Sequence, residues 1–198
     1  MTLPLDPSLR VLSRHLGAAL QAGFDAPADP GPPVRQPAAA QPSAPALLAR
    51  SQPSPKARQD AQALYQRCLK HFRQRVQRDA SDDDAGLAMA YFVLANLAAL
   101  QGLRPDEDDL ARVELQLRPR IAAGWLQAPL RDRQSAFEQF AAIGVLVAES
   151  NFEARSQGVA AQANVQRAAR GYLHQLLGVE PGRLRLGEHG LLLELAEA

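Results

Sequence analysis

Proline is distributed so unevenly along this chain that it divides the sequence into two parts. Eleven of the 15 prolines lie in the first 55 residues, and nine of those fall between Pro27 and Pro55. Proline lacks a backbone N–H and biases the residue before it away from the helical region, so this part cannot hold long regular elements. We therefore predict a disordered, Pro/Ala-rich linker over residues 23–53 and a folded domain over residues 54–198.

A short amphipathic helix is predicted before the linker, in residues 1–22. Asp6 and Pro7 provide a start signal, and leucines recur at helical spacing at positions 9, 12, 16 and 20. Such a helix either docks onto the domain or a partner, or has only marginal helicity, because isolated helices shorter than about 12 to 15 residues rarely persist in water. Arg10 and Arg14 interrupt the apolar positions, so we do not expect a signal peptide here.

The composition favours helices and excludes several classes of protein. The chain has 37 Ala, and 20 of its 22 basic residues are Arg, whereas aromatic residues make up 5%; Ala and Arg are good helix formers. No apolar run approaches the roughly 18 to 20 residues of a membrane span, and a net charge of +1 gives no overall attraction to nucleic acid. The single cysteine, Cys68, permits neither an internal disulfide nor a tetrathiolate zinc site.

Helical periodicity begins at Ser54, which can cap a helix with Pro55 at its first position. Apolar residues then recur every three or four positions through five predicted helices: residues 54–78, 81–102, 106–118, 131–157 and 159–177. The second, GLAMAYFVLANLAAL, is apolar nearly all round and is predicted to be central; Pro119 is expected to end or kink the third. The predicted fold is all-α, an antiparallel bundle of about five helices.

The last 20 residues differ from the helices. Leu184 and Leu186 alternate with arginines, and GEHG separates them from residues 191–193. This pattern predicts a short C-terminal hairpin, although residues 191–198 are also compatible with one helical turn.

The usual catalytic motifs are missing, and we predict no catalytic residue, cofactor or metal site. The segment DASDDDAG has Asp or Ser at alternating positions, like the start of a calcium-binding loop. However, its glycine comes too late, and Ala90 stands where the loop needs a bidentate glutamate; helix capping explains its aspartates.

Cys68 and His71 lie three residues apart on one predicted helix. A packed thiol beside a surface imidazole explains them better than a metal site or a catalytic nucleophile does. The basic run at residues 56–78 precedes an acidic one at 79–114, which favours an internally balanced face over a nucleic-acid surface.

The segment DDDAGLAMAYFVLANLAALQG, with Asp83, Ala85, Tyr91 and Phe92, resembles an uncharacterised bacterial family of mostly secreted or envelope helical proteins, a domain of unknown function. ARVELQLRPRI and ARGYLHQLLGVEPGRLRLGEHGLLL extend the resemblance over about residues 56–193. The resemblance implies an all-α fold and export, with no activity to carry over. The compartment stays open: periplasmic or secreted if a leader peptide was omitted, cytoplasmic otherwise.

We predict a non-catalytic helical interaction or structural module, in which a groove between helices receives a partner helix or extended peptide. The candidate groove residues are Tyr91, Asn96 and Trp125. Asn96 is informative because a dry core tolerates an amide only if it finds partners.

Two alternatives stay open at this point. One is a hydrolase that uses carboxylates of the fourth helix, Glu138, Glu149 or Glu153; the last two are four residues apart, as an acid–base pair on one face would be. The other is an immunity or inhibitor protein, which the sequence alone does not distinguish from an interaction module.

Overall fold

The computed structural model describes residues 31–77, 82–125, 128–177 and 180–194. The fold is all-α, as predicted, with two short antiparallel strand pairs. The predicted helix in residues 1–22 lies outside the described residues. The helices are α1 (Ala44–Ala49), α2 (Pro55–His71, continued by a π-helical turn, Phe72–Val76), α3 (Ala85–Gln101), α4 (Glu107–Trp125), α5 (Leu130–Gln157) and α6 (Val159–Leu177), and the strands are β1 (Arg35–Pro37), β2 (Asp82–Asp84), β3 (Leu184–Gly187) and β4 (Gly190–Leu193).

Helix α3 lies at the centre and packs against α4, α5 and α6. Its alanines, Met89, Phe92 and Leu97 are buried around most of its circumference, which explains why its sequence is apolar nearly all round. Gly144 of α5 lets the two helices approach closely, because a Cβ at that position would lie 3.2 Å from the Cα of Phe92. The prediction that this helix is central is confirmed.

The helix ends follow the capping signals of the sequence. The Ser54 side chain accepts a hydrogen bond from the backbone N–H of Ala57 at 3.1 Å, and Gly102 ends α3 with φ +70°. Helix α3 begins later than predicted because Asp84, whose side chain accepts from the N–H of Leu87, is its cap. Residue 82 pairs with residue 37 in the β1–β2 ladder instead.

Pro119 was expected to end or kink the third helix, and it does not end it. Helix α4 continues through it to Trp125. Because Pro119 has no backbone N–H, the helical hydrogen bond to the carbonyl of Leu115 does not form. Leu115 is 42% exposed. On the far side of the helix, the buried Val113, Leu117 and Ile121 keep the helix packed on the core.

The described part of the predicted linker, residues 31–53, forms only short elements but is not a free tether. Strand β1 pairs with β2, and α1 packs against α2 and α5. Val34 and Leu48 are buried in the main core. Backbone atoms of the segment are held by α5, which donates from Gln134 to the carbonyl of Pro37 and accepts at Glu138 from Ser43 and Ala44. The segment is therefore part of the domain.

The C-terminal hairpin is present as predicted, with β3 paired to β4 in the register Leu184 with Leu193. Gln116 of α4 donates to the carbonyl of Leu191 at 2.9 Å and accepts from its N–H at 2.7 Å. Gln101 of α3 donates to the carbonyl of Leu184. These two glutamines fix the hairpin to the bundle.

Candidate functional site

A groove runs along the surface of α3, lined by α4, by α5 and by the π-helical turn after α2. It consists of two adjoining cavities of about 290 and 470 Å³ that share Tyr91, Pro105, Asp106 and Leu110 as lining residues. We call the whole depression the α3 groove. On α3 its lining extends from Leu87 to Ala98, twelve residues that span about 16 Å at a rise of 1.5 Å per residue.

The walls of the α3 groove are mostly apolar. Tyr91 lies at its middle, half-buried, and burial, followed by the charge of Glu149, raises the pKa of its hydroxyl, so the phenol is neutral at physiological pH. Phe152 of α5 forms part of the rim and is 78% exposed. A large aromatic side chain so open to water beside an apolar depression is typical of a surface that binds an apolar ligand.

Charged residues of both signs surround the apolar walls. Asp106, Glu107 and Glu114 lie on the α4 side, in a cavity that Arg75 also lines, whereas Arg104 and Arg155 lie at the other end. The Arg155 guanidinium donates to the carbonyl of Leu103 at 3.4 Å, which ties α5 to the loop between α3 and α4. The rim is therefore polar and is held in part by this hydrogen bond, while the interior of the groove is apolar.

The three candidate groove residues do not lie together in the structure. Tyr91 lines the groove. Asn96 is fully buried on α3, where its Nδ2 donates to the carbonyl of Phe92 at 2.7 Å and its Oδ1 has no partner among the described residues. Trp125 is 1% exposed in the core. Only Tyr91 can contact a ligand of the groove directly.

Sequence reasoning missed several groove residues, with Phe152 the most important. Its signal was present: an aromatic residue in the polar stretch SNFEARSQ, where no buried position is expected. The other missed lining residues include Leu94, Ala98, Leu103 and Arg155.

The carboxylates considered for a hydrolase do not converge. Glu149 and Glu153 are both exposed, and Glu149 lies 2.9 Å from Nδ1 of His71. Glu138 is fully buried elsewhere on α5. Burial raises its pKa, while the N–H groups of Ala44 and Ser43 and the charge of Arg73 oppose the shift. Neither Glu149 nor Glu153 lines the groove, so this pair does not supply an acid and a base there.

The remaining sequence candidates have structural roles. Cys68 is buried, and burial raises the pKa of its thiol to about 11, so it is neither a thiolate nucleophile nor a ready metal ligand at neutral pH. Asp83 accepts two hydrogen bonds from Arg73, at 2.7 and 2.9 Å. This ion pair joins one charge of the basic run to one charge of the acidic run.

Within the described ranges, no three His, Cys, Asp or Glu residues cluster as metal ligands, and no helix there has the length and apolarity of a membrane span.

The comparisons with known proteins give a family but no activity. Neither curated proteins nor solved structures provide a match. A family model described as "Family of unknown function (DUF6683)" matches residues 16–194. This range includes the α3 groove, the hairpin and the N-terminal segment that packs on α5. Because the match covers most of the 198 residues, the chain belongs to DUF6683, a family of unknown function.

Proposed function

We propose that the protein is a non-catalytic binding module whose α3 groove receives an amphipathic helix of a partner protein. The observation that carries this proposal is the apolar groove centred on Tyr91, with Phe152 exposed at its rim. The groove follows α3 for about 16 Å, or three helical turns, and a helix of that length presents apolar side chains at positions i, i+3 or i+4, i+7 and i+11.

A helical ligand fits the groove better than an extended peptide. The walls are built by α3, α4, α5, the loop after α3 and the π-helical turn after α2, and no strand of the described part of the chain lines them. An extended peptide would find no strand edge to pair with its N–H and C=O groups, whereas a helix satisfies its own backbone. The ligand therefore supplies an apolar stripe and leaves its polar face in water.

The experiment is a selection from a displayed library of 16-residue helical peptides, followed by affinity measurements with the full chain. We expect enriched peptides to carry apolar residues at helical spacing, and to bind Phe152→Ala at least about fivefold more weakly than the unsubstituted chain, because central aromatic side chains dominate such interfaces. Leu130→Ala is the matched control, since Leu130 is 44% exposed at the opposite end of α5.

Two results would contradict the proposal. One is a selection without an apolar stripe in the enriched peptides. The other is equal affinity of the selected peptides for the Phe152→Ala and Leu130→Ala variants, which would place their binding site away from the groove.

A further inference from the structure

Gly31, the first described residue, lies beside one end of the α3 groove. The Arg118 guanidinium donates to the carbonyl of Gly31 at 3.2 Å and is also bonded to the carboxylate of Glu114. Glu114 and Leu87 line the same end of the groove. Residues 1–30 therefore join the domain next to the groove.

The sequence of residues 7–22 has the apolar pattern that the groove requires. Its leucines, at positions 9, 12, 16 and 20, form one stripe on a helix of twelve residues, which spans about 16 Å. This equals the length of the groove along α3 from Leu87 to Ala98. Residues 23–30 connect the stripe to the domain and can extend up to about 26 Å, which exceeds the length of the groove along α3.

The extent of the family match agrees with this placement. The family model begins at residue 16, so part of the leucine stripe is matched together with the rest of the domain.

We infer that residues 7–22 occupy the α3 groove of their own chain as a helix and compete there with a partner helix. The inference rests on the proposed function, because it makes the N-terminal segment the regulator of that binding site. A tethered segment has an effective concentration in the millimolar range when its linker can span the distance. A partner must displace it, and affinity for external helices is correspondingly lower in the intact chain.

The test compares three full-length proteins that bind a fluorescein-labelled peptide of residues 5–24, measured by fluorescence anisotropy. The open variant is Leu12→Glu with Leu16→Glu, which places charge in the leucine stripe. Its matched control is Ala18→Glu with Gln21→Glu, which adds the same charge to the opposite face of the predicted helix. We expect the peptide to bind the open variant about 10- to 100-fold more tightly than it binds the unsubstituted chain or the control.

Adding Phe152→Ala to the open variant is expected to weaken binding of the peptide at least about fivefold. The milder change Leu12→Ala should shift affinity in the same direction as the open variant, by a smaller factor, and so covers any loss of folding in the open variant. Equal affinity for the open variant and the control, or no effect of Phe152→Ala, would overturn the inference.

The inference and the proposed function fail in different ways. If display-selected helices bind the groove but the peptide of residues 5–24 does not, the proposed function stands and the inference is wrong. If the peptide binds the open variant through Phe152 while no selected helix binds, the segment is a permanent cover of the groove and the proposed partner function is wrong.

Discussion

The two ends of the described chain are both fastened to the bundle by a buried polar side chain, but with different chemistry. At the hairpin, the neutral side-chain amide of Gln116 makes two hydrogen bonds to the backbone of one residue, Leu191: its oxygen accepts and its nitrogen donates. At the N-terminal segment, one oxygen of Glu138 accepts from Ser43 at 2.8 Å and Ala44 at 2.9 Å, and its other oxygen has no partner among the described residues. The first attachment is complete and uncharged, whereas the second depends on the protonation of a carboxyl group.

This difference predicts that attachment of the hairpin is independent of the protonation of Gln116's neutral amide, whereas attachment of the N-terminal segment responds to pH through Glu138. Burying a carboxylate is costly unless it is compensated, and Glu138 is compensated only in part. The buried amide of Gln36 on β1 also lacks partners among the described residues, so the N-terminal attachment contains the less well-satisfied polar groups.

The strongest test of the comparison is Gln116→Leu. It leaves the buried N–H and C=O of Leu191 without their partners, and each such group costs about 1 to 3 kcal/mol. We expect the free energy of unfolding in urea to fall by about 3 kcal/mol. Gln166→Leu, at an exposed position of α6, is the control and should change it little. A loss below about 1 kcal/mol for Gln116→Leu would show that the hairpin is not held by this amide.

Gly190→Ala tests the same attachment from the hairpin side. Gly190 has φ +111°, and a Cβ there would lie 2.6 Å from Oε1 of Gln116, so alanine is strained and displaces the amide. We expect a loss of about 2 kcal/mol in urea unfolding. Gly182→Ala is the matched control, because its Cβ would meet only Glu180 Oε1 at an ordinary 3.6 Å. Equal losses for the two alanines would contradict the geometric argument.

Gln101→Leu tests whether the loss of stability depends on how many backbone groups of the hairpin a glutamine satisfies. Gln101 satisfies one partly buried carbonyl, that of Leu184 at 2.5 Å, whereas Gln116 satisfies a buried donor and a buried acceptor. The expected loss in urea unfolding is about 1 kcal/mol. A loss as large as that of Gln116→Leu would mean that the number of satisfied backbone groups does not set the cost.

The smallest expected effect is the pH dependence at the N-terminal attachment. Burial raises the pKa of Glu138 above its ordinary value of 4.5, so the folded protein binds the proton more tightly than the unfolded chain. The resulting stabilisation is complete below pH 4.5 and is lost as the pH rises through the folded pKa. Relative to Glu138→Gln, the unsubstituted chain should therefore lose stability over this range, as measured by urea unfolding at a series of pH values.

Glu153→Gln is the control for this titration, because Glu153 is exposed. A difference between the unsubstituted chain and Glu138→Gln that stays constant above pH 4.5 would show that the N-terminal attachment is as indifferent to pH as the hairpin.

The sequence predicted the helices well because their signals are local. Ser54, Gly102 and the three- to four-residue apolar spacing act within a few residues of the chain. The attachment of residues 31–53 was not predicted, because Glu138 contacts backbone groups 94 and 95 residues away. No local pattern reports such a contact, and proline-rich sequence looks the same whether it packs or not.

The groove was predicted only in part, for the same reason. Tyr91 was identified, but helical periodicity alone does not tell which face of an all-round apolar helix stays accessible, so Asn96 and Trp125 were placed in the groove although they are buried. The polar stretch around Phe152 marks it as an exposed aromatic residue, but only the placement of α5 beside α3 and the loop after α3 shows that it belongs to the groove.

The sealed environment of Cys68 has a practical consequence for work on this chain. Its thiol is neither accessible nor ionised at neutral pH, so it should resist maleimide reagents without being replaced. A fluorophore or spin label coupled to a cysteine introduced at an exposed site such as Gln166 would then report from that site alone, in a protein otherwise unaltered.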